Sequence, residues 1–179
     1  MYKDELTGAN DIVISPMNPK IMYASLWEVY PGISGVNSGV YKSNDGGKTW
    51  TPCKNGLPTG PNVGRIGVSV SFTNPNKAYA LVDNLNNPKE FTAEVYKTED
   101  GGNTWAKTHE NPFKIFSAYG WYFTNININP LNDEEIFCLD VFGSFPTGNF
   151  SVQFQQNRTL VILINYCVSR PAPLLLQEI

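Results

Sequence analysis

Two eight-residue segments combine residue types that could do chemistry. "SNDGGKTW" spans Ser43–Trp50 and "TEDGGNTW" spans Thr98–Trp105, so each places an acid before two glycines, a threonine and a tryptophan. One carboxylate per segment is too few for a calcium ion, which takes six to eight oxygen ligands. A catalytic site occurs once in a chain, whereas this pattern occurs twice. We therefore interpret both segments as structural turns.

The residue types suit a tight turn between two strands. An aspartate side chain accepts hydrogen bonds from backbone N–H groups just ahead of it, and serine or threonine hydroxyls add further bonds. Glycine tolerates the positive φ of such turns, and tryptophan at the start of the outgoing strand buries a large area. The structural residues of the two segments are Ser43, Asp45, Gly47, Thr49, Trp50, Thr98, Asp100, Gly102, Thr104 and Trp105.

An internal repeat surrounds these segments. Ile12–Leu26, Val68–Val82 and Ile126–Asp140 each contain a short alternating strand, a turn and a second strand. The asparagines of these turns are Asn18, Asn74 and Asn132. The turn asparagines recur after 56 and 58 residues and the two glycine segments after 55, so two independent features share one period. A constant period of this kind indicates a tandem repeat.

Each repeat predicts four strands, with hardly any segment of helical period. In the first repeat the strands are expected near 11–15, 21–28, 39–43 and 49–54. In the second they are expected near 66–71, 78–84, 93–98 and 104–108. Four-stranded antiparallel sheets repeated at roughly 40 to 50 residues are typical of β-propeller blades. The fold class is therefore all-β, and the predicted boundaries are a propeller fragment at 1–148, with blade 1 at about 11–54, blade 2 at about 64–109 and a partial blade 3 at about 122–148.

The composition changes at the end of the chain. Residues 149–179 contain no glycine, aspartate, lysine or tryptophan, and no third glycine segment occurs near position 154, where the period would place it. We expect this anomalous tail to be a truncated or frameshifted end, with a divergent capping strand as the alternative.

The two glycine segments match a known motif at every defined position. Ser/Thr-x-Asp-x-Gly-x-Thr-Trp resembles the Asp-box, or bacterial neuraminidase repeat, and the pattern over about Asp11 to Phe142 looks like the sortilin-type propellers and the family 74 xyloglucanases among glycoside hydrolases. The resemblance implies an internal fragment of a propeller of seven or more blades, an extracellular or cell-envelope location, and boxes on the outer hairpins, away from the ligand. The sequence itself shows no signal-peptide pattern.

Strand direction sorts the loops between two faces of a propeller. Loops from second to third strands share one face with the blade-to-blade connections, and we call this the loop face. Ligands and function are expected there. The candidate residues of the loop face are Trp27, Glu28, Tyr30, Arg65, Asp83, Tyr119, Trp121 and Tyr122. The aromatic rings suit stacking on sugars or packing between blades, and Arg65 suits binding of a carboxylate or an ion pair with Glu28 or Asp83.

Composition narrows the classes of function. A net charge of −3 without a basic run argues against nucleic-acid binding, and no apolar run approaches the roughly 20 residues of a membrane span. Three isolated cysteines and one histidine, His109, predict no metal site and no cofactor, with His109 as a solvated loop residue. Three arginines, two of them in the tail, do not supply a sialidase triad.

Three functions remain open. The first is a binding or scaffold module that meets a glycan or peptide ligand and the adjoining blades of its parent. The second is a glycoside hydrolase of the xyloglucanase type. Such enzymes need two carboxyl groups roughly 5 to 10 Å apart, and here these acids would lie partly outside the chain. The third is a peptide receptor of the sortilin type.

Overall fold

The computed structural model describes residues 4–88, 92–112, 120–122, 124–141, 150–154 and 160–166. Its first sheet has four antiparallel strands joined in chain order. They are β1 (Thr7–Ile14), β2 (Met22–Glu28), β3 (Gly39–Ser43) and β4 (Thr51–Cys53). β-Branched and aromatic residues build these strands, and Asn, Pro and Gly separate them.

The second sheet repeats this arrangement strand for strand. Its strands are β5 (Val63–Val70), β6 (Ala78–Asn84), β7 (Ala93–Thr98) and β8 (Ala106–Lys107). Predicted and observed strands agree to within a few residues in both sheets. The prediction of four-stranded antiparallel blades is therefore confirmed.

The third sheet differs in its strand order, which is β11-β12-β10-β9. Its strands are β9 (Asn125–Asn129), β10 (Asn132–Val141), β11 (Phe150–Phe154) and β12 (Leu160–Tyr166). β12 lies beside β10 and runs parallel to it, whereas neighbouring strands in the first two sheets are antiparallel. Two strands from the predicted tail thus pair within the third sheet, and its order departs from the simple meander of the other blades.

The core lies between the sheets rather than inside any one of them. Alternate residues of β5, such as Ile66 and Val68, are buried against the first sheet. On the other side of the second sheet, Tyr79 and Leu81 pack with Ile126 and other apolar residues of the third sheet. The second sheet therefore buries both of its faces against its neighbours, which is how stacked repeats gain stability.

Close approach between two backbone segments explains one glycine of β5. A Cβ atom at Gly67 would lie 2.1 Å from the carbonyl oxygen of Thr124, so any larger residue would push the second and third sheets apart. Polar side chains also bridge the first and second sheets. Asp11 Oδ2 accepts the Val68 N–H at 3.0 Å, and Ser25 Oγ donates to the Ile66 carbonyl at 2.6 Å.

The loops separate into two faces. The Gly46 N–H donates to the Lys20 carbonyl at 3.0 Å, and the Gly101 N–H donates to the Asn76 carbonyl at 2.8 Å. We call the two glycine segments, Ser43–Trp50 and Thr98–Trp105, boxes. Each box therefore lies against the turn of its own blade that contains Asn18 or Asn74, and we call this side the box face. On the loop face, the Gly35 N–H donates to the Val63 carbonyl at 3.1 Å, which joins a loop of the first blade to the start of the second.

Candidate functional site

The acid of the first box is fully engaged in its turn. Asp45 Oδ1 accepts the Ser43 hydroxyl at 2.8 Å and the Thr49 N–H at 2.9 Å, while Oδ2 accepts the Thr49 hydroxyl at 2.6 Å. Ser43 Oγ in turn accepts the N–H of Gly47, whose φ is 85°. Hydrogen bonds from Thr49, and then from Ser43, lower the pKa of Asp45 from 3.8 to about 2.

The second box repeats these bonds almost atom for atom. Asp100 accepts the Thr98 hydroxyl at 2.9 Å, the Thr104 N–H at 2.9 Å and the Thr104 hydroxyl at 2.6 Å. Hydrogen bonds led by those of Thr104 lower the pKa of Asp100 to about 2. A carboxylate that accepts several turn donors and stays ionised is unsuited to general acid catalysis, which favours a raised pKa.

Arg65 stands at the centre of a cluster on the loop face. It lies at an irregularity in the pairing of β5 with β6, between Val63 and Ile66. Its Nη1 donates to the Tyr122 carbonyl at 2.7 Å, and its Cζ lies 5.7 Å from the ring centroid of Trp27. Trp27 belongs to the first blade and Tyr122 precedes the third sheet, so Arg65 links three blades.

The aromatic members of the cluster are held in place by their loops. The Trp27 indole N–H donates to the Ile33 carbonyl at 2.9 Å, which fixes the ring beside Arg65. The Trp121 and Tyr122 rings meet edge to face, with centroids 5.5 Å apart. Tyr122 remains 56% exposed. We call Trp27, Arg65, Trp121 and Tyr122 the Arg65 cluster.

Two other candidate residues of the loop face have separate surroundings. Tyr30 is 64% exposed, in the loop that follows β2. Glu28 Oε2 accepts the Asn37 N–H at 2.8 Å, and its side chain packs against Gly35, where a Cβ atom would lie 2.3 Å from Glu28 Cδ. Tyr119, the remaining aromatic candidate, lies outside the described residues.

Asp83 is a buried acid at the end of β6. It is 2% exposed, and desolvation raises its pKa, against the opposing effect of a hydrogen bond from Thr92. Its Oδ1 has no hydrogen-bond partner. The ion pairs found among the described residues include neither Arg65–Glu28 nor Arg65–Asp83. The structure therefore does not form the structural ion pair that was one expectation for Arg65.

His109 is not the solvated loop residue that the sequence predicts. It is buried, its Nε2 accepts the Val95 N–H at 2.8 Å, and its Nδ1 lies 2.6 Å from the Asn111 carbonyl oxygen. These partners require the neutral tautomer with the proton on Nδ1. Desolvation lowers the pKa of His109. The prediction was wrong because β8 ends at Lys107, and beyond that end the ring accepts the Val95 N–H of β7.

Sequence reasoning also missed a buried carboxylate on β7. Glu94 is buried, and it accepts hydrogen bonds from Asn84 at 2.8 Å, Tyr96 at 2.7 Å and Lys107 at 2.5 Å. These hydrogen bonds outweigh the opposing effect of desolvation and lower the pKa of Glu94 to about 2. A Glu and a Tyr two residues apart share one side of a strand, which was the available signal.

A second polar network joins the second and third sheets on the box face. Lys77 is buried, and its Nζ contacts Asp133 at 2.7 Å and Glu134 at 2.5 Å. Ser71 Oγ also donates to Asp133 at 2.8 Å. This network holds two blades together and lies on the side opposite the Arg65 cluster.

The described parts of the chain contain neither a cluster of metal-binding side chains nor a membrane-spanning helix. Within those ranges no group of three or more His, Cys, Asp or Glu side chains is placed to hold a metal ion. No helix there is long and apolar enough to cross a membrane. Cys53 and Cys138 are free thiols, both buried.

Comparison with known proteins identifies the fold. No protein-family model matches the sequence, and no curated protein does. The structure is similar to a GH74 enzyme from Niastella koreensis, with a TM-score of 0.56 and 22% identity over 90% of this chain and 24% of that chain. This chain therefore spans about a quarter of that enzyme.

Weaker similarities are to an ancestral GH74 enzyme and to YCF48 bound to D1 peptide. The ancestral enzyme has a TM-score of 0.49 and 18% identity, over 69% of this chain and 15% of that chain. YCF48 has a TM-score of 0.47 and 16% identity, over 75% of this chain and 35% of that chain. Two complete antiparallel blades, two boxes with matching hydrogen bonds and the similarity to the Niastella enzyme show that this chain has the β-propeller fold.

Proposed function

We propose that this chain is a ligand-binding module of a propeller and that its loop face binds glycans. The observation that carries the proposal is the Arg65 cluster, in which Arg65 joins Trp27 of the first blade to Tyr122 before the third sheet. A ligand on this face would meet residues from the first blade, the second blade and the segment before the third sheet.

The chemistry of this face supports a sugar ligand. Tyr122 and Tyr30 keep more than half of their surface in contact with solvent. An aromatic ring offers a flat apolar face and a polar tip, which suits the mixed surface of a sugar ring. Exposed aromatic residues grouped on one face indicate a binding surface more often than isolated ones do.

Binding to a panel of soluble polysaccharides, measured by affinity electrophoresis and calorimetry with the full chain, tests the proposal. We expect Tyr122→Ala to weaken binding about tenfold, which corresponds to about 1.4 kcal/mol. Phe72→Ala is the matched control, because Phe72 is an aromatic residue of the box face that is 46% exposed. If no polysaccharide binds, or if both variants weaken binding equally, the proposal is wrong.

A glycoside hydrolase is the second candidate, and Asp83 is the observation that favours it. Burial raises the pKa of this carboxyl, as a general acid requires. The similarity to a GH74 enzyme is consistent with such a parent protein. Hydrolysis of a glycan by the chain or by its full-length parent, abolished in Asp83→Asn with binding retained, would support this candidate. Unchanged hydrolysis in Asp83→Asn would remove Asp83 from the reaction.

Peptide binding and a scaffold role are the alternatives to glycan binding, and we propose an extracellular or cell-envelope location. Peptides added to the same calorimetric assay distinguish a peptide ligand from a glycan. Fractionation of the source cells tests the location, and recovery of the protein only in the cytoplasmic fraction would contradict it.

A further inference from the structure

The guanidinium of Arg65 is held on two sides by protein groups. Nη1 donates to the Tyr122 carbonyl, and the Trp27 ring lies beside Cζ. Its Nε is buried and has no hydrogen-bond partner. The side chain is therefore fixed in position, although its hydrogen-bonding capacity is only partly used.

The charge of Arg65 has no counter-ion within the described residues. None of the ion pairs there includes it. Glu28, the acid next to Trp27, accepts the Asn37 N–H instead. A half-buried cation without a counter-ion is costly, and a planar guanidinium matches a carboxylate in geometry as well as in charge.

We propose that Arg65 binds the carboxylate of an acidic glycan, with the ring of a uronic acid unit stacked on Tyr122. This inference rests on the proposed glycan-binding function and specifies its ligand. A uronate supplies both an anion for Arg65 and a pyranose ring for the aromatic side chain. A neutral sugar would leave the charge of Arg65 uncompensated when it covers the face and removes water.

The matched ligands for a test are polygalacturonate and its fully methyl-esterified form. They share one backbone, and esterification removes the charge of each carboxylate and adds one methyl group to it. We expect the full chain to bind polygalacturonate at least tenfold more tightly than the ester, and salt to weaken the tighter complex. Equal affinity for the two forms would overturn the inference and leave glycan binding intact.

Variants then assign the preference to one side chain. We expect Arg65→Gln to lose about tenfold in affinity for polygalacturonate, so that the preference for polygalacturonate over the ester largely disappears. Lys54→Gln is the control, because Lys54 is an exposed cation in the connection between the first two blades. An equal loss in Lys54→Gln would show a general charge effect and would overturn the role of Arg65.

A second variant and the choice of polymers keep the inference testable and distinguish it from the proposed function. If Arg65→Gln does not fold, Arg65→Lys decides. It retains the charge without the planar fork, and we expect it to lose affinity about threefold to tenfold; no loss would contradict the inference. If neither form of the polymer binds but a neutral polysaccharide does, this inference fails and the proposed function stands. If no polysaccharide binds, both fail.

Discussion

Trp105 and Trp50 occupy the same position in successive repeats but have different surroundings. Trp105 is 5% exposed and meets Tyr23 of the first blade edge to face, with ring centroids 6.3 Å apart. Trp50 is only partly buried, and its indole N–H donates to the Gly47 carbonyl at 2.9 Å. We predict that replacing Trp105 by alanine destabilises the chain more than replacing Trp50 does.

The magnitude follows from the buried area. A tryptophan side chain buries about 150–250 Å², and at about 25 cal/mol per Å² this corresponds to roughly 4–6 kcal/mol. Truncation of a buried tryptophan typically costs about 3–5 kcal/mol, and we expect this loss for Trp105→Ala. For Trp50→Ala we expect about 1–3 kcal/mol, because part of its ring is already hydrated.

Urea unfolding followed by far-UV circular dichroism measures both free energies of unfolding. The midpoint should shift with little change in slope, since the same surface is exposed in each variant. Trp105→Phe is the control for cavity size and should cost less than Trp105→Ala. A loss in Trp50→Ala equal to or greater than that in Trp105→Ala would refute the assignment of Trp105 to the core between the first two blades.

Three further predictions concern titratable groups. Glu94→Gln should lower the free energy of unfolding by about 2–3 kcal/mol, because it weakens charged hydrogen bonds, including that from Lys107; an unchanged urea midpoint would contradict this. Asp45→Asn and Asp100→Asn should each lower Tm at neutral pH, because the lowered pKa of the replaced carboxyl group stabilises the folded state above pH 3.8. The difference in Tm between each variant and the unchanged chain should shrink as pH falls from 3.8 to about 2. The unchanged chain should lose stability as pH falls through 6.5, because the unfolded state protonates His109 more readily than the folded state does; this part of the pH dependence should be absent in His109→Gln, and its persistence there would assign it to other groups.

The local turns of this protein were predictable because their residues interact over short distances. Asp45 and Asp100 find all of the box partners named above within four residues of themselves, so sequence spacing alone indicates their hydrogen bonds. The same argument explains why strands β2, β3, β6 and β7 were located to within about a residue. Alternation and turn residues are local signals.

The surroundings of the candidate site were less predictable because they depend on contacts between blades. Arg65 meets Trp27 and Tyr122 across separations of 38 and 57 residues, and no local pattern distinguishes these partners from Glu28 or Asp83. His109 illustrates the same limit. Its position in a connecting segment predicts solvation, yet the ring is buried because it accepts the Val95 N–H beyond the end of β8.

The amino-acid sequence by itself determined the repeat, the strands and the boxes, because each depends on neighbours within one hairpin. Only the tertiary structure decided which side of each blade is covered, which charges are paired and which aromatic residues remain in water. It buried Trp105 and left Trp50 partly exposed, although the two segments are nearly identical. The reason is physical: burial and electrostatics depend on what the next blade brings into contact, and that contact is set by the packing of sheets distant in sequence.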